Sequence, residues 1–349
     1  MKIWFDILTP KQVLFFEPMI KKLRKKHSVL CTSRNYREAI QLAKIRNLKV
    51  HVIGKHGGAE RYSKLNESLK RMVDLSKIVK KYSPDLTISL CSPEASRISY
   101  GLGIKHIVFS NAPHAEAVMK LSIPLAQKLL TPWIIPKRKF SKYGISEKDI
   151  IHYRALDESV IVKEKPKRKT LPPLKLKRNK TILFRTHETE AAYFLKNKKK
   201  IDVISIIKKV AKEFPDYNII VLGRYSTQIN ELQKNLDKNI VVLKKVVDSG
   251  EILSISDIFI GSGGTMTQEA ALKGIPTISY SAVPGYQDEE YLVRKGLVRK
   301  GKNPETIVKL IKALTKSDKN ARKLKAKKIL DSMEDPFLKL EFAIKSVTE

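Results

Sequence analysis

The sequence predicts an α/β protein of two doubly wound domains that face each other across a cleft. Short β-branched runs alternate with longer helical patterns, as expected for parallel sheets covered by helices. The alternation is interrupted once, by a basic stretch with three prolines between Lys163 and Lys180, and then restarts. The length of 349 residues suits two domains of ordinary size.

The first domain, residues 1–165, opens with the strand Ile3–Leu8 and the helix Gln12–Lys26, whose apolar residues recur every three to four positions. Residues 166–180 form the linker, because clustered like charges and prolines disfavour regular structure. The further predicted strands of the first domain are Ser28–Thr32, Leu48–Ile53, Asp85–Leu90 and His106–Phe109, and its further predicted helices are Tyr36–Arg46, Asn66–Tyr82 and Pro93–Tyr100.

The second domain, residues 181–335, repeats the pattern and leads into a helix-rich tail from Asn303 to Ser346. We expect residues 336–349 to form a helix that packs back on the first domain. The predicted strands are Thr181–Arg185, Asn218–Leu222, Asn239–Leu243, Asp257–Ile260 and Thr277–Tyr280, and the predicted helices before the tail are Ile201–Glu213, Ser226–Leu236 and Thr265–Lys273.

The chain is strongly basic, with 69 Lys and Arg against 35 Asp and Glu and a formal net charge of +34. The first 170 residues carry 35 basic and 14 acidic side chains, so the front half is the more basic one. Such a surface attracts phosphate backbones, which makes nucleic-acid binding an alternative function. No recognition helix or aromatic-studded basic strip supports it, so only non-specific contact is expected.

Several classes are excluded by what the sequence lacks. No segment reaches the roughly 18 to 20 uninterrupted apolar residues of a spanning helix, and Asp6 and Pro10 interrupt any signal-peptide core. Two cysteines cannot build a disulfide framework. No Asp-x-Asp pair occurs and the seven histidines are scattered, so we expect no metal and no cofactor. A cytoplasmic protein fits best, with or without peripheral contact to a membrane.

The most informative segment is DIFIGSGGTMTQEAALKGIPTISY, residues 257–280. A predicted strand is followed by the loop Ser262–Gly264 and by a helix that begins near Thr265, so backbone N–H groups and a helix N-terminus can bind a diphosphate. Glu269 lies one turn further along the same face and can accept hydrogen bonds from ribose hydroxyls. The alternative is a tight strand-to-helix turn followed by a solvated glutamate.

The run GSGGTMTQEAALKGIPTI resembles the nucleotide-sugar signature of GT-B glycosyltransferases, especially the enzyme that adds GlcNAc to the lipid-linked peptidoglycan precursor, and of the related UDP-GlcNAc 2-epimerases. The resemblance implies a GT-B fold of two Rossmann-like domains and a nucleotide-sugar substrate. It also implies that Glu269 binds the ribose and that four residues hold the diphosphate, namely Ser262, Gly263, Gly264 and Thr265.

Two further segments resemble the epimerases. TILFRTHETE, residues 181–190, is similar to their strand-end segment that places a histidine against the diphosphate, which makes Arg185 and His187 candidates, with ordinary loop residues as the alternative. An arginine and a histidine suit a leaving diphosphate. LTPKQVLFFEPMIKKL shares the epimerases' strand-turn-helix outline, but Pro10 and Phe15 replace their basic residues near the turn, which argues against epimerase chemistry.

Over nearly its whole length, the chain resembles a family of archaeal proteins of unknown function with GT-B-like sequences and about this length. The matching runs are LTPKQVLFF, SPEA near Ser92, PHAEAV at Pro113 and YRALDE at Tyr153. This resemblance implies the fold and a link to nucleotide sugars, but no particular reaction.

The reacting groups are expected in loops that follow strands of the first domain, because ligands of such sheets bind at the carboxyl ends of the strands. His114 is the candidate general base, since the usual pKa of histidine lies near neutral pH. Asp6, Glu94 and Glu116 are the carboxylate alternatives. A structural, hydrogen-bonding role for His114 is the competing interpretation.

The stretch SAVPGYQDEEYLVRKG, residues 281–296, follows the strand after the Glu269 helix. In GT-B enzymes the equivalent loop often contacts the donor sugar, which makes Gln287, Asp288 and Glu289 candidate ligands of sugar hydroxyls. The alternative is an acidic helix N-terminus, which the helix dipole favours.

The favoured function is a metal-independent glycosyltransferase that uses a nucleotide-diphosphate sugar, with a UDP-sugar preferred. The second domain would hold the donor, and the basic first domain the acceptor. The charge bias favours an anionic or lipid-phosphate acceptor. A UDP-GlcNAc 2-epimerase-like enzyme on the same fold is the alternative.

Overall fold

A computed structural model of the chain describes residues 1–58, 60–164, 171–174, 176, 178, 180–187, 202–280 and 287–349. The chain divides into an N-terminal unit, Met1–Glu164 with Met333–Glu349, and a C-terminal unit, Lys165–Ser332. Most of the linker predicted at residues 166–180, and the predicted start of a helix at Ile201, lie outside the described residues.

The N-terminal unit contains a parallel sheet of seven strands with helices on both faces. The strands are β1 (Lys2–Asp6), β2 (Ser28–Asn35), β3 (His51–Lys55), β4 (Leu86–Ser89), β5 (Lys105–Phe109), β6 (Lys128–Pro132) and β7 (Ile150–Tyr153). The helices are α1 (Pro10–Leu23), α2 (Arg37–Ile45), α3 (Arg61–Tyr82), α4 (Pro93–Gly101), α5 (Glu116–Ser122), α6 (Arg138–Ser141) and α7 (Asp157–Lys163).

The C-terminal unit contains a second parallel sheet, of six strands. The strands are β8 (Lys180–Arg185), β9 (Tyr217–Leu222), β10 (Val241–Leu243), β11 (Ile258–Gly261), β12 (Thr277–Ser279) and β13 (Val298–Lys300). The helices are α8 (Val203–Glu213), α9 (Ser226–Asn235), α10 (Ser249–Ser254), α11 (Thr265–Leu272), α12 (Gln287–Arg294), α13 (Pro304–Thr315) and α14 (Lys319–Asp331). The final helix, α15 (Pro336–Thr348), belongs to the N-terminal unit and packs against β5, β6 and β7.

Both sheets are doubly wound. The strand order is β3-β2-β1-β4-β5-β6-β7 in the first sheet and β10-β9-β8-β11-β12-β13 in the second. The direction of winding reverses between β1 and β4, and again between β8 and β11. A crevice opens at the carboxyl ends of such strand pairs, and ligands of these sheets bind there. The prediction of two doubly wound α/β units is confirmed.

The first helix illustrates how the local sequence builds the fold. The Thr9 hydroxyl accepts a hydrogen bond from the backbone N–H of Gln12 at 3.4 Å and so caps the start of α1. The ring of Phe16 then packs 5.3 Å from that of Phe5 and 5.6 Å from that of Phe109, measured between centroids. Aromatic burial of this kind fixes α1 over the first sheet.

Two differences from the sequence prediction have clear physical causes. Helix α3 begins at Arg61 instead of Asn66, because the Glu60 carboxylate accepts hydrogen bonds from the N–H groups of Tyr62 and Ser63 at 2.7 and 2.5 Å. Strands β6, β7 and β13 have no counterpart in the prediction, since each stands in a stretch rich in prolines or charges. None of the helices in the described ranges has the length and apolar character needed to cross a bilayer.

Candidate functional site

The loop between β11 and α11 lies at the crevice of the C-terminal sheet. Gly263 and Gly264 have φ angles of 79° and 92°, a region that favours glycine. Gly264 stands at the N-cap of α11, and no described side chain caps this helix. Backbone N–H groups at such a terminus attract anions. The predicted diphosphate residues, from Ser262 to Thr265, therefore lie half-buried at a helix N-terminus.

Tyr280 contacts this glycine loop, and two arginines lie close enough to Tyr280 to act on it electrostatically. The Arg185 guanidinium donates to the carbonyl of Gly223 at 2.8 Å, and the Tyr280 hydroxyl donates to the carbonyl of Arg185 at 2.9 Å. Burial raises the pKa of Tyr280, while the charges of Arg224 and Arg185 and a hydrogen bond with Ser262 act in the opposite direction. Both cations therefore act on a phenol that contacts the first residue of the loop.

Arg224 is a candidate site residue that sequence analysis missed. It follows Gly223 directly after β9, and β9 pairs with β8 in parallel, so both strands end at the same edge of the sheet. The sequence feature that could have identified Arg224 is the Gly-Arg pair directly after a predicted strand. The side chain is half-buried, as is that of Arg185.

Gln228 connects the loops that follow β8 and β9. Its side-chain oxygen accepts from the Arg224 N–H and from the Thr186 hydroxyl, both at 2.8 Å, and its amide nitrogen donates to the His187 carbonyl at 3.3 Å. The predicted His187 therefore has a backbone position fixed by Gln228, two residues beyond the end of β8. Residues 188–190 of the same predicted segment lie outside the described residues.

Glu269, the predicted ribose ligand, is on α11 with 1% of its surface exposed. The Ser249 hydroxyl, from the start of α10, donates to its Oε2 at 2.5 Å. Because Thr265 and Glu269 are four residues apart, they share one face of the helix. The carboxylate therefore lies one turn behind the glycine loop and is held by a neighbouring helix.

The predicted sugar ligands begin α12, whose preceding residues 281–286 lie outside the described ranges. Gln287 is half-buried, and Asp288 and Glu289 are 3% and 1% exposed. Burial raises the pKa of Glu289, and this effect exceeds the lowering by a hydrogen bond with Ser279 and by the charge of Lys300. Ser279 ends β12, so this acidic turn lies close to the carboxyl edge of the same sheet.

Asp6 lies at the other crevice, at the end of β1 in the N-terminal unit, and is fully buried. Its carboxylate accepts from two guanidinium nitrogens of Arg71 at 2.6 and 3.2 Å, from the Thr32 hydroxyl at 2.7 Å and from the Ser92 hydroxyl at 2.6 Å. Burial raises the pKa of Asp6, but Arg71, Ser92 and Thr32 together lower it. These contacts favour a positioning role for Asp6 over the predicted catalytic one.

Glu94 shares the same network. It is 6% exposed, its Oε1 accepts from the Ser68 hydroxyl at 3.0 Å, and its Oε2 lies 3.9 Å from Nη1 of Arg71. Burial lowers the pKa of Arg34, a half-buried residue of β2, and the charge of Glu94 acts in the opposite direction. The N-terminal crevice thus combines two carboxylates with two arginines, and sequence analysis singled out neither arginine.

His114 lies in the loop after β5 and is exposed. Partial desolvation by the surrounding chain and the charge of Lys139 lower its pKa. The carboxylate of Glu116, at the start of α5, is exposed and pairs with Lys120 at 2.8 Å. Across the described part of the chain, no three His, Cys, Asp or Glu side chains converge as metal ligands.

Two adjacent buried carboxylates share one lysine at the carboxyl edge of the N-terminal sheet. The ammonium group of Lys11, in α1, lies 2.9 Å from Asp157 and 3.1 Å from Glu158. The Tyr153 hydroxyl also donates to Asp157. Burial raises the pKa of Glu158, the Lys11 charge lowers it and the Asp157 charge raises it again. Glu158 therefore holds its proton to higher pH than an exposed glutamate.

Glu158→Gln is expected to make the N-terminal unit more stable than the wild type at pH 8, with the difference shrinking toward pH 4.5. Because the pKa of Glu158 is raised in the folded state, its contribution to stability is complete below the usual pKa of 4.5. This contribution is lost as pH rises through the raised pKa. The amide imitates the protonated form and removes this loss. Urea unfolding followed by fluorescence of Trp4 and Trp133, both in this unit, measures the difference.

The matched control is Glu116→Gln, which makes the same charge change at an exposed position of the same unit. It is expected to leave the slope of stability against pH unchanged. A Glu158→Gln variant that is less stable than the wild type at pH 8 would show that Glu158 is ionised and paired at that pH.

The family match covers almost the whole chain. Residues 1–342 match the model of the family described as protein of unknown function (DUF354). The uncharacterized protein MJ0665 of Methanocaldococcus jannaschii is 30% identical over 303 residues, which is 84% of this chain and 85% of that protein. These matches confirm the resemblance inferred from the sequence.

Solved structures with a similar fold come from sugar-nucleotide enzymes. The UDP-GlcNAc 2-epimerase from Neisseria meningitidis bound to UDP-GlcNAc has a TM-score of 0.73 at 16% identity, over 99% of this chain and 100% of that one. Spinosyn forosaminyltransferase SpnP has a TM-score of 0.62 at 15% identity, over 100% of both chains. At these identities the likeness shows the fold, and it confirms the predicted GT-B type of two Rossmann-like units. The chain therefore belongs to the DUF354 family, and its fold is of the GT-B type.

Proposed function

We propose that the protein is a glycosyltransferase that uses a nucleotide-diphosphate sugar, with a UDP-sugar preferred. The observation that carries this proposal is the convergence of the glycine loop, Arg185 and Arg224 at one crevice of the C-terminal sheet. Support also comes from the fold, which matches an epimerase with bound UDP-GlcNAc and a sugar transferase.

The arrangement suits the departure of a diphosphate. When an acceptor attacks the anomeric carbon, the bond to the β-phosphate oxygen breaks and negative charge gathers on the leaving group. Backbone N–H groups after Gly264 and the cations Arg185 and Arg224 can stabilise that charge. The helix terminus and the Arg185 guanidinium are held in place by the fold before the reaction starts.

Glu269 can bind the ribose without losing its partner. A carboxylate has about four acceptor positions, so that Glu269 can accept from ribose hydroxyls while it keeps the hydrogen bond from Ser249. Gln287 and Asp288, at the start of α12, are then the candidates for hydroxyls of the donor sugar. The residues proposed to bind the diphosphate, the ribose and the donor sugar would then follow one another along one edge of the C-terminal sheet.

On the acceptor side, His114 is the proposed general base. Its lowered pKa keeps the imidazole neutral at neutral pH, which is the form that accepts a proton from an acceptor hydroxyl. Arg34, at the N-terminal crevice, offers a half-buried positive charge to an anionic acceptor such as a lipid phosphate. Glu94 is the carboxylate alternative as base, since Asp6 is held by four donor atoms.

Binding of UDP and of 2′,3′-dideoxy-UDP to the wild type and to Glu269→Ala tests the ribose assignment. The wild type is expected to gain more thermal stability from UDP than from the dideoxy analogue, and Glu269→Ala is expected to lose that difference. The control Glu231→Ala removes an exposed carboxylate of α9 in the same unit and should respond as the wild type does. A flat response of the wild type to every nucleotide and nucleotide sugar would refute the shared donor site.

Product analysis separates transfer from epimerisation. UDP-GlcNAc is incubated alone with the protein and followed by NMR, and the same reaction is repeated with lipid-phosphate acceptors. The proposal expects retained GlcNAc configuration without acceptor and release of UDP with one. Formation of UDP-ManNAc from UDP-GlcNAc alone would show that the protein is an epimerase that uses the same donor site, and not a transferase.

A further inference from the structure

The outer face of α3 carries an apolar stripe formed by Tyr62, Leu65, Leu69 and Val73. These residues recur at intervals of three and four positions, so they lie on one side of the helix. Their exposed fractions are 72%, 57%, 50% and 57%. Exposed apolar side chains are normally scattered, and a contiguous row of them marks an interaction surface.

The opposite face of α3 fixes the orientation of the stripe. Arg71 is 1% exposed and pairs with the buried Asp6, and Leu75 and Val79 are fully buried in a core cluster with Trp4. Rotating the helix to bury the stripe would break this ion pair and expose the core residues. The packing of α3 therefore keeps the stripe on the surface of the N-terminal unit.

Basic side chains border the stripe. Helix α3 contains seven Lys and Arg against two acidic residues, and Lys70, Lys77, Lys80 and Lys81 are exposed on the side of the helix next to the stripe. An apolar face beside lysines is typical of helices that lie on anionic membranes. Two copies of a chain with net charge +34 would instead bring like charges together at this face.

We propose that the apolar stripe of α3 and its lysines dock the N-terminal unit on an anionic lipid surface. The apolar side chains would enter the boundary between headgroups and acyl chains, and the lysines would contact lipid phosphates. On the inner face of the same turns, Ser68 and Arg71 contact Glu94 and Asp6 at the N-terminal crevice. Delivery of a lipid-borne acceptor to this crevice rests on the proposed function, whereas the docking does not.

Co-sedimentation with vesicles tests the docking. The wild type is expected to bind vesicles of phosphatidylglycerol and phosphatidylcholine and to bind pure phosphatidylcholine weakly. The triple variant Leu65→Ser/Leu69→Ser/Val73→Ser should reduce the vesicle affinity at least tenfold. Its matched control changes three residues elsewhere with exposed fractions of 55%, 59% and 62%, namely Leu324→Ser/Leu338→Ser/Phe342→Ser.

The contribution of charge is tested separately. The variant Lys70→Gln/Lys77→Gln/Lys80→Gln should weaken binding to anionic vesicles and flatten its salt dependence. The control, which removes the same charge from exposed lysines of α14 in the C-terminal unit, is Lys323→Gln/Lys325→Gln/Lys327→Gln. Circular dichroism confirms that every variant is folded.

Three results would overturn the docking proposal. The first is a wild type that fails to bind anionic vesicles, and the second is equal loss of binding in the stripe variant and its control. The third is a stripe variant that turns a dimer into a monomer without changing vesicle binding, which would show that a second copy covers α3. Vesicle binding by a protein that binds no nucleotide would leave the docking intact and refute the proposed function alone.

Discussion

Replacing Asp6 with asparagine is expected to lower the free energy of unfolding of the N-terminal unit by about 3–5 kcal/mol, the usual effect of breaking a buried ion pair. Both partners are out of solvent, with Arg71 1% and Asp6 0% exposed. The amide cannot neutralise the guanidinium, so that a buried positive charge is left with only the more distant carboxylate of Glu94, at 3.9 Å.

Tryptophan fluorescence during urea unfolding measures this effect in the right unit. Trp4 and Trp133 are the two tryptophans of the chain, and both belong to the N-terminal unit. The Trp4 indole donates to the Thr32 hydroxyl at 2.8 Å, and that hydroxyl donates to Asp6. The probe is thus two hydrogen bonds from the substituted group, and unfolding of the C-terminal unit does not obscure it.

Two further variants separate the ion pair from a simple change of charge. Asp74→Asn removes a carboxylate that is 64% exposed on α3 and pairs with Lys77 at 3.6 Å, and should cost about 0–1 kcal/mol. Adding Arg71→Met to Asp6→Asn should recover part of the loss, because no unpaired charge then stays buried. An unchanged midpoint for Asp6→Asn, combined with lost transferase activity, would instead identify Asp6 as the catalytic base.

Local patterns in the sequence were sufficient to predict ten of the thirteen strands in the described residues, and the glycine loop. A β-branched run, two glycines and a helix start occur within a few residues of each other. The strand-loop-helix arrangement around Gly263 and Gly264 can therefore be predicted from the local sequence. Arg185 was predicted through the resemblance of TILFRTHETE to the strand-end segment of the epimerases. Its role as a diphosphate ligand remains a prediction.

The buried networks could not be predicted because their partners are distant in the chain. Arg71 is 65 residues from Asp6, and it is one of seven basic residues on α3. Apolar periodicity in the second half of that helix is consistent with the burial of Leu75 and Val79, but it gives no reason to bury Arg71 on the same face. The ion pair with Asp6, visible only in three dimensions, accounts for the burial of Arg71.

Arg185→Met and Arg224→Met are each expected to weaken UDP binding about 10- to 100-fold, because each removes a charge-assisted hydrogen bond worth about 1.5–3 kcal/mol. Methionine keeps most of the apolar stem, so the neighbouring packing is largely retained. Isothermal titration calorimetry with UDP and UMP measures the loss, which should be larger for UDP because UMP lacks the β-phosphate.

The conservative variant and a matched control make this result specific. Arg224→Lys keeps the charge but loses the forked geometry, so its affinity should lie between those of the wild type and Arg224→Met. Arg294→Met removes an exposed cation from the end of α12 in the same unit and should leave UDP binding unchanged. Equal losses for UDP and UMP, or an equal loss in Arg294→Met, would place the diphosphate away from the Arg185–Arg224 pair.

The two arginines are not expected to contribute equally to the integrity of the site. The Arg185 guanidinium also holds the Gly223 carbonyl at 2.8 Å, so that Arg185→Met should lower the melting temperature of the free protein as well as the affinity for UDP. Gln228 fixes the backbone N–H of Arg224, a contact that the methionine variant keeps. Arg224→Met should therefore lose affinity with little loss of stability, which makes it the cleaner test of diphosphate binding at this crevice.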